Sequence, residues 1–149
     1  MIDVDGSPSG YIAWYNHYAE TSRIRSVHPF LKNGSFGVQR MEMVAIYFAL
    51  ADNSKNVRSI TKIVNKKKGL IIDIRSDSKS TLEQLQGISK MRDIILHRIY
   101  KAIKKLLVET TYPIVFNYVK RTRNIAALPF ERMRRRTIHN SHSTCYYQI

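Results

Sequence analysis

The chain has 149 residues, 44% hydrophobic and 24% charged, a balance that fits one globular domain with a sizeable core and excludes global disorder. The single cysteine, Cys145, excludes an internal disulfide and a cysteine-rich zinc site, and no run approaches the roughly 20 apolar residues of a membrane span. Twenty-five Lys and Arg against eleven Asp and Glu leave a formal charge of +14, which favours a polyanionic partner, nucleic acid ahead of a membrane surface. With no signal-peptide pattern at the start, the expected location is cytoplasmic. No obligate protein partner is evident.

In chain order, Ile2-Asp3-Val4-Asp5 is expected as a short strand closed by the turn residues Gly6-Ser7-Pro8-Ser9-Gly10. Gly10 to Tyr15 and Ser22 to Pro29 read as two more strands, the second reaching Lys32-Asn33-Gly34. Met41 to Ala51 has apolar residues at helical spacing, and a separate helical piece is expected from Val57 to Val64. After Lys66-Lys67-Lys68-Gly69, a solvated basic loop, Leu70 to Arg75 is a β-rich strand ending at Ser76-Asp77. Ser80 to Leu85 reads as a short helix stopped near Gly87. Met91, Ile95, Ile99, Ile103 and Leu106 mark the core face of a long helix. Pro113 to Val119 is the last strand and Ala126 to Arg136 the last helix, followed by a polar tail. The expected architecture is α/β, a mixed five-stranded sheet flanked by helices, with one domain over residues 1–136 and a C-terminal tail over 137–149.

Three acids stand out. Glu42 lies inside the apolar helical run Met41-Glu42-Met43-Val44-Ala45-Ile46, where an unpaired carboxylate is costly unless something there requires it. Asp5 and Asp77 each stand at the C-terminal end of an expected strand, where loops diverge and functional groups gather. Parallel neighbouring strands would bring these two together, and a helix packed on that face would add Glu42. Like charges that close call for a divalent cation, and an all-carboxylate set points to Mg²⁺ or Mn²⁺. Asp3 shares the parity of Asp5 and either faces the same way or pairs with a Lys. Asp73 has the same status on the other strand.

In this setting the chain resembles the type 1 ribonuclease H family. Asp5-Gly6-Ser7, Arg40-Met41-Glu42-Met43 with Ala45 and Ala49-Leu50, Ser76-Asp77-Ser78, and Val119 through Asn124 to Ala127 are similar to its four motifs, in order, from Ile2 to about Arg135. The resemblance implies a ribonuclease H-like fold and a metal-dependent endonuclease that hydrolyses the RNA strand of RNA–DNA hybrids with two ions. It implies that Asp5, Glu42 and Asp77 are catalytic metal ligands. The family's fourth acid, expected just after Asn-x-x-Ala, is replaced here by Leu128, so the second ion is expected to bind weakly. Glu131, three residues on, either reaches back to the metal or pairs with Arg132 or Arg135. His139 and His142 either approach the site or stay solvated in the tail. The loss leaves two alternatives open: a ribonuclease H-like binding module with lost or weak catalysis, and a related transposase-like or resolvase-like nuclease.

The resemblance also marks contacts to nucleic acid. Gln39 would donate to a minor-groove base edge, Lys79 would meet a phosphate, and Arg121 lies in the short basic loop Lys120-Arg121-Thr122-Arg123. Lys101, Lys104 and Lys105 on the long helix either hold the DNA strand or form a solvated face. Arg132, Arg134, Arg135 and Arg136 are denser than a helix C-terminus needs. Trp14, Tyr15 and Tyr18 are expected to pack against the sheet and to make no stacking platform.

Overall fold

The computed structural model of the chain describes residues 1–63, 71–110 and 113–131. Five strands, β1 (Ile2–Gly6), β2 (Tyr11–Asn16), β3 (Thr21–Ser26), β4 (Ile72–Ser76) and β5 (Ile114–Tyr118), form one sheet in the order β3-β2-β1-β4-β5. The first three pair as an antiparallel meander, and β1, β4 and β5 run parallel. Parallel neighbours need a crossover, supplied by α1 (Gly37–Ile63) between β3 and β4 and by α2 (Lys79–Leu85) and α3 (Ile94–Glu109) between β4 and β5. This is the mixed five-stranded sheet expected from the sequence.

The core lies between the sheet and α1. Every residue from Arg40 to Ile46 is buried, because α1 is covered by the sheet on one side and by α3 on the other. Along β2, Ile12 and Trp14 join this cluster, whereas Ala13 faces a second one with Ala126 and Phe130. By the same alternation Ile2 and Val4 face α1, and Asp3 and Asp5 face the segment after β5. Glu42 therefore does not pack on the acids' own face; it reaches them over the end of β1.

Several boundaries differ from the sequence reading, each for a local reason. The third strand does not reach Gly34, because Pro29 lacks an N–H and opens a 3-10 helix over Pro29–Lys32, with the His28 ring accepting from Phe30 N–H. The two helical pieces are one continuous helix. Its polar stretch is satisfied from β2: Trp14 Nε1 donates to Asp52 and Asn16 Nδ2 to Asn53, while Asn53 donates to Ala49 O one turn back. In α3 the fully buried positions are Leu96 and Ile103, with Ile99 and Leu106 packed partly against the core; Met91, expected on this helix, precedes its start and packs there too. Asp93 caps α3 through Leu96 N–H and also takes both nitrogens of Arg40 at 2.6 and 2.7 Å, which locks α1 to the start of α3. The last helix begins within residues 128–131; its continuation to Arg136, the Lys66–Lys68 run, His139, His142 and the tail lie outside the described residues. Among the described residues no helix is long and apolar enough to cross a membrane. Trp14 is buried as expected, whereas Tyr18 is exposed.

Candidate functional site

The site lies where β1 and β4 end side by side. Asp3 pairs with Arg75 and Val4 with Ser76 in parallel register, so Asp5 and Asp77, each one step further along its strand, come out as neighbours where the β1–β4 pairing ends. Turn chemistry fixes Asp77. Ser78 N–H donates to Ser76 Oγ, and Ser78 Oγ accepts from Thr81 N–H as the N-cap of α2, so the acid sits between a strand end and a helix start. Gly6 admits Glu42. A Cβ on Gly6 would lie 2.4 Å from the backbone of Met41, so only glycine lets α1 approach β1 this closely.

The three acids converge. Asp5, Glu42 and Asp77 each offer a carboxylate oxygen, and these oxygens lie within 4.8 Å of one another. Asp5 is fully buried and Glu42 is 5% exposed. Burial, then the neighbouring charge of Asp77, pushes the Asp5 carboxyl up to about 6. Burial, then Asp5 and Asp77, pushes Glu42 well above the usual carboxylate range. Asp77 is also raised by burial, against the pull of Arg121. Glu42 Oε2 is buried with no hydrogen-bond partner. Three clustered carboxylates, one of them with an orphaned oxygen and all hard oxygen donors, fit a divalent cation of the Mg²⁺ or Mn²⁺ type.

The segment after β5 closes the other side. Asn124, 2% exposed, donates to Val4 O at 2.9 Å and to Asp77 Oδ2 at 3.3 Å, while its Oδ1 accepts from Ala126 N–H. Arg121 Nη1 lies 3.3 Å from Asp5 Oδ2 and 3.4 Å from Asp77 Oδ2, and Nη2 lies 3.6 Å from Glu131 Oε1. Below them Asp3 is fully buried, and it pairs with Arg75 and His17, not with a Lys. Burial alone would raise Asp3, but hydrogen bonds from Arg75 and Ile125 N–H, with the His17 ring 3.2 Å away, outweigh it and hold the carboxyl below its usual value.

The remaining sequence candidates fall as follows. Glu131 stands outside the three-acid cluster and points at Arg121. Leu128, where a fourth acid was sought, is 48% exposed. Gln39 is half-buried and its Oε1 accepts from Gln84 at 3.4 Å. Lys79 Nζ sits 4.7 Å from the Tyr118 ring centre, and Lys104 Nζ lies over Tyr100. Lys101, Lys104 and Lys105 are all exposed. Asp73 accepts from Asn117 Nδ2 on β5, away from the cluster. Sequence reasoning missed two groups. Asn124 was read only as the opening of a helix, although an Asn before Ala126-Ala127 is also an N-cap with a spare amide. Arg121 was read only as a contact to nucleic acid, and nothing in the sequence signals that it faces the acids.

Sheet order, crossovers and the acid-bearing strand ends together define the ribonuclease H fold. Solved structures agree. Halobacterium salinarum ribonuclease H1 superposes with a TM-score of 0.63 at 19% identity, covering 86% of this chain and 90% of that one. LC11 ribonuclease H1, isolated from compost by a metagenomic approach and solved with an RNA/DNA hybrid, gives 0.61 at 19% identity, over 83% of this chain and 87% of that one. The N-terminal ribonuclease H domain of a Mycobacterium tuberculosis protein gives 0.56 at 18% identity, over 85% and 86%. No protein-family model matches the sequence, and no curated protein does.

Proposed function

We propose that the chain is a metal-dependent endonuclease that hydrolyses the RNA strand of RNA–DNA hybrids. The observation that carries this reading is the buried cluster of Asp5, Glu42 and Asp77, with its unpartnered Glu42 oxygen, at the parallel strand ends of a ribonuclease H fold. Asp5, Glu42 and Asp77 would hold the cation, which when bound supplies an activated water and stabilises developing negative charge. The chain's own residues do the rest. Asn124 orients Asp77 and fixes its distance from β1. Gln39 at the start of α1 and the basic face of Lys101, Lys104 and Lys105 would position the duplex, and contact with a 2′-hydroxyl beside Glu42 would select RNA. The +14 charge and a structural neighbour solved with an RNA/DNA hybrid support this partner.

A second reading has its own observation. Leu128 offers no oxygen where a fourth carboxylate was sought, and Arg121 faces the acids. On this reading the fold binds nucleic acid without efficient cleavage. One assay separates the two: labelled hybrid, duplex DNA and duplex RNA are incubated with protein in Mg²⁺, Mn²⁺ or chelator. The nuclease reading expects metal-dependent cuts in the RNA strand of the hybrid, lost in a folded Asp77→Asn variant. Tight hybrid binding with no cuts in either metal gives the binding reading.

A further inference from the structure

Arg121 touches two of the three acids, and the cleavage reading gives that contact no role. Its contacts to Asp5 and Asp77, at 3.3 and 3.4 Å, are long beside the roughly 2.7–2.9 Å of a charge-assisted hydrogen bond. The guanidinium thus straddles the two acids without closing on either, and its Nη2 turns outward to Glu131. Glu42 Oε2 stays buried and unbonded. Both oxygens of Asp5 and Oδ2 of Asp77 therefore lie within 3.5 Å of a guanidinium nitrogen, whereas Glu42 Oε2 has no such partner. Leu128 supplies no carboxylate to balance the guanidinium.

We propose that Arg121 is a resident cation of this centre, so that the site takes a single divalent ion, on the Glu42 side, with the guanidinium as its second positive charge. This rests on the metal-dependent reading above and sharpens it. A second ion shared by Asp5 and Asp77 would stand within a few ångströms of a guanidinium that cannot lose its charge. Three carboxylates with one guanidinium carry a formal charge of −2, which one divalent ion neutralises. Glu131 adds little to that count, since its side chain is 39% exposed and only 3.6 Å ion pairing links it to Arg121. Nη1 alone meets Asp5 and Asp77 while Nη2 meets Glu131, so it is the charge between the two acids that fills the role.

The test is calorimetric titration of the full chain with Mn²⁺, without nucleic acid. Wild type should bind one ion, and Glu42→Gln should lose it. Arg121→Gln should bind Mn²⁺ about tenfold more tightly or take a second ion, because a like charge has gone. Arg121→Lys keeps the charge and should match wild type, which preserves the test if the Gln variant fails to fold. Two ions in the wild type, or an Arg121→Gln variant identical to it, overturns the proposal. Because no hybrid is present, these results are independent of cleavage: one ion with the expected Arg121 shift but no hydrolysis would refute the nuclease and leave the resident cation standing.

Discussion

Replacing Gly6 by alanine tests how the site is held together. The added Cβ would lie 2.4 Å from the Met41 carbonyl carbon, 2.5 Å from its oxygen and 2.7 Å from Glu42 N. Ordinary contact begins near 3.4 Å, so β1 and α1 must part by about 1 Å, and all three atoms are backbone that cannot swing aside. Overpacking of this kind costs about 1–3 kcal/mol, and the rigid neighbours place it toward the upper end. In a chain of this length that lowers Tm by about 5–10 °C. Glu42 belongs to the displaced segment, so Mn²⁺ affinity should fall as well, even at temperatures where the variant is fully folded. Differential scanning calorimetry and Mn²⁺ titration read the two effects separately. A Gly6→Ala protein with wild-type Tm and wild-type Mn²⁺ affinity would refute the claim that the strand–helix approach sets the carboxylate spacing.

In chelator, Asp5→Asn should stabilise the protein at pH 8. Burial pushes the folded-state carboxyl up to about 6 from its ordinary 3.8, so the folded chain holds a proton the unfolded one has lost, and stability drops as pH rises through that window, by at most about 3 kcal/mol. Chemical denaturation at pH 4 and pH 8 should show the variant's advantage only at the higher pH; an advantage that is larger at pH 4 would contradict this. Asp93→Ala removes the cap of α3 and leaves the buried Arg40 without its carboxylate, so urea melts should show a loss of about 3–5 kcal/mol. A loss below about 1 kcal/mol would show that the pair does not tie α1 to α3. Replacing Lys101, Lys104 and Lys105 together by Gln should flatten the log–log salt dependence of hybrid binding by up to about 3 units if each meets a phosphate, measured by fluorescence anisotropy. An unchanged slope assigns that face to solvent.

What the sequence disclosed and what it hid follow from range. Asp5 and Asp77 were legible because turn residues follow them directly after apolar strands, and Glu42 because an acid interrupts an apolar run; all are local signals. The sheet was legible for the same reason, since strand and helix periods alternate in a way that forces parallel crossovers. Asp3 faces the same way as Asp5, one of the two readings, but its partner is Arg75 and no Lys, because Arg75 lies opposite it only once the β1–β4 register is known. The break expected in α1 failed because Asp52 and Asn53 are bonded by Trp14 and Asn16, 38 and 37 residues earlier in the chain. Arg121 lies 116 residues from Asp5, and its placement depends on Asn124 anchoring the loop to β1.

That anchoring has a kinetic side. Ile125 N–H donates at 3.0 Å to Asp3, an acceptor with no exposure to solvent that Arg75 and His17 also hold. Such an amide exchanges with deuterium only when the central strand pair itself opens, not through the breathing that exposes a surface loop. The Ile125 amide should therefore exchange as slowly as the amides of β1, although it lies in a short connection near the surface. The loop bearing Arg121 and Asn124 then moves with the sheet, and its ordering entropy is met during folding, before any polyanion arrives.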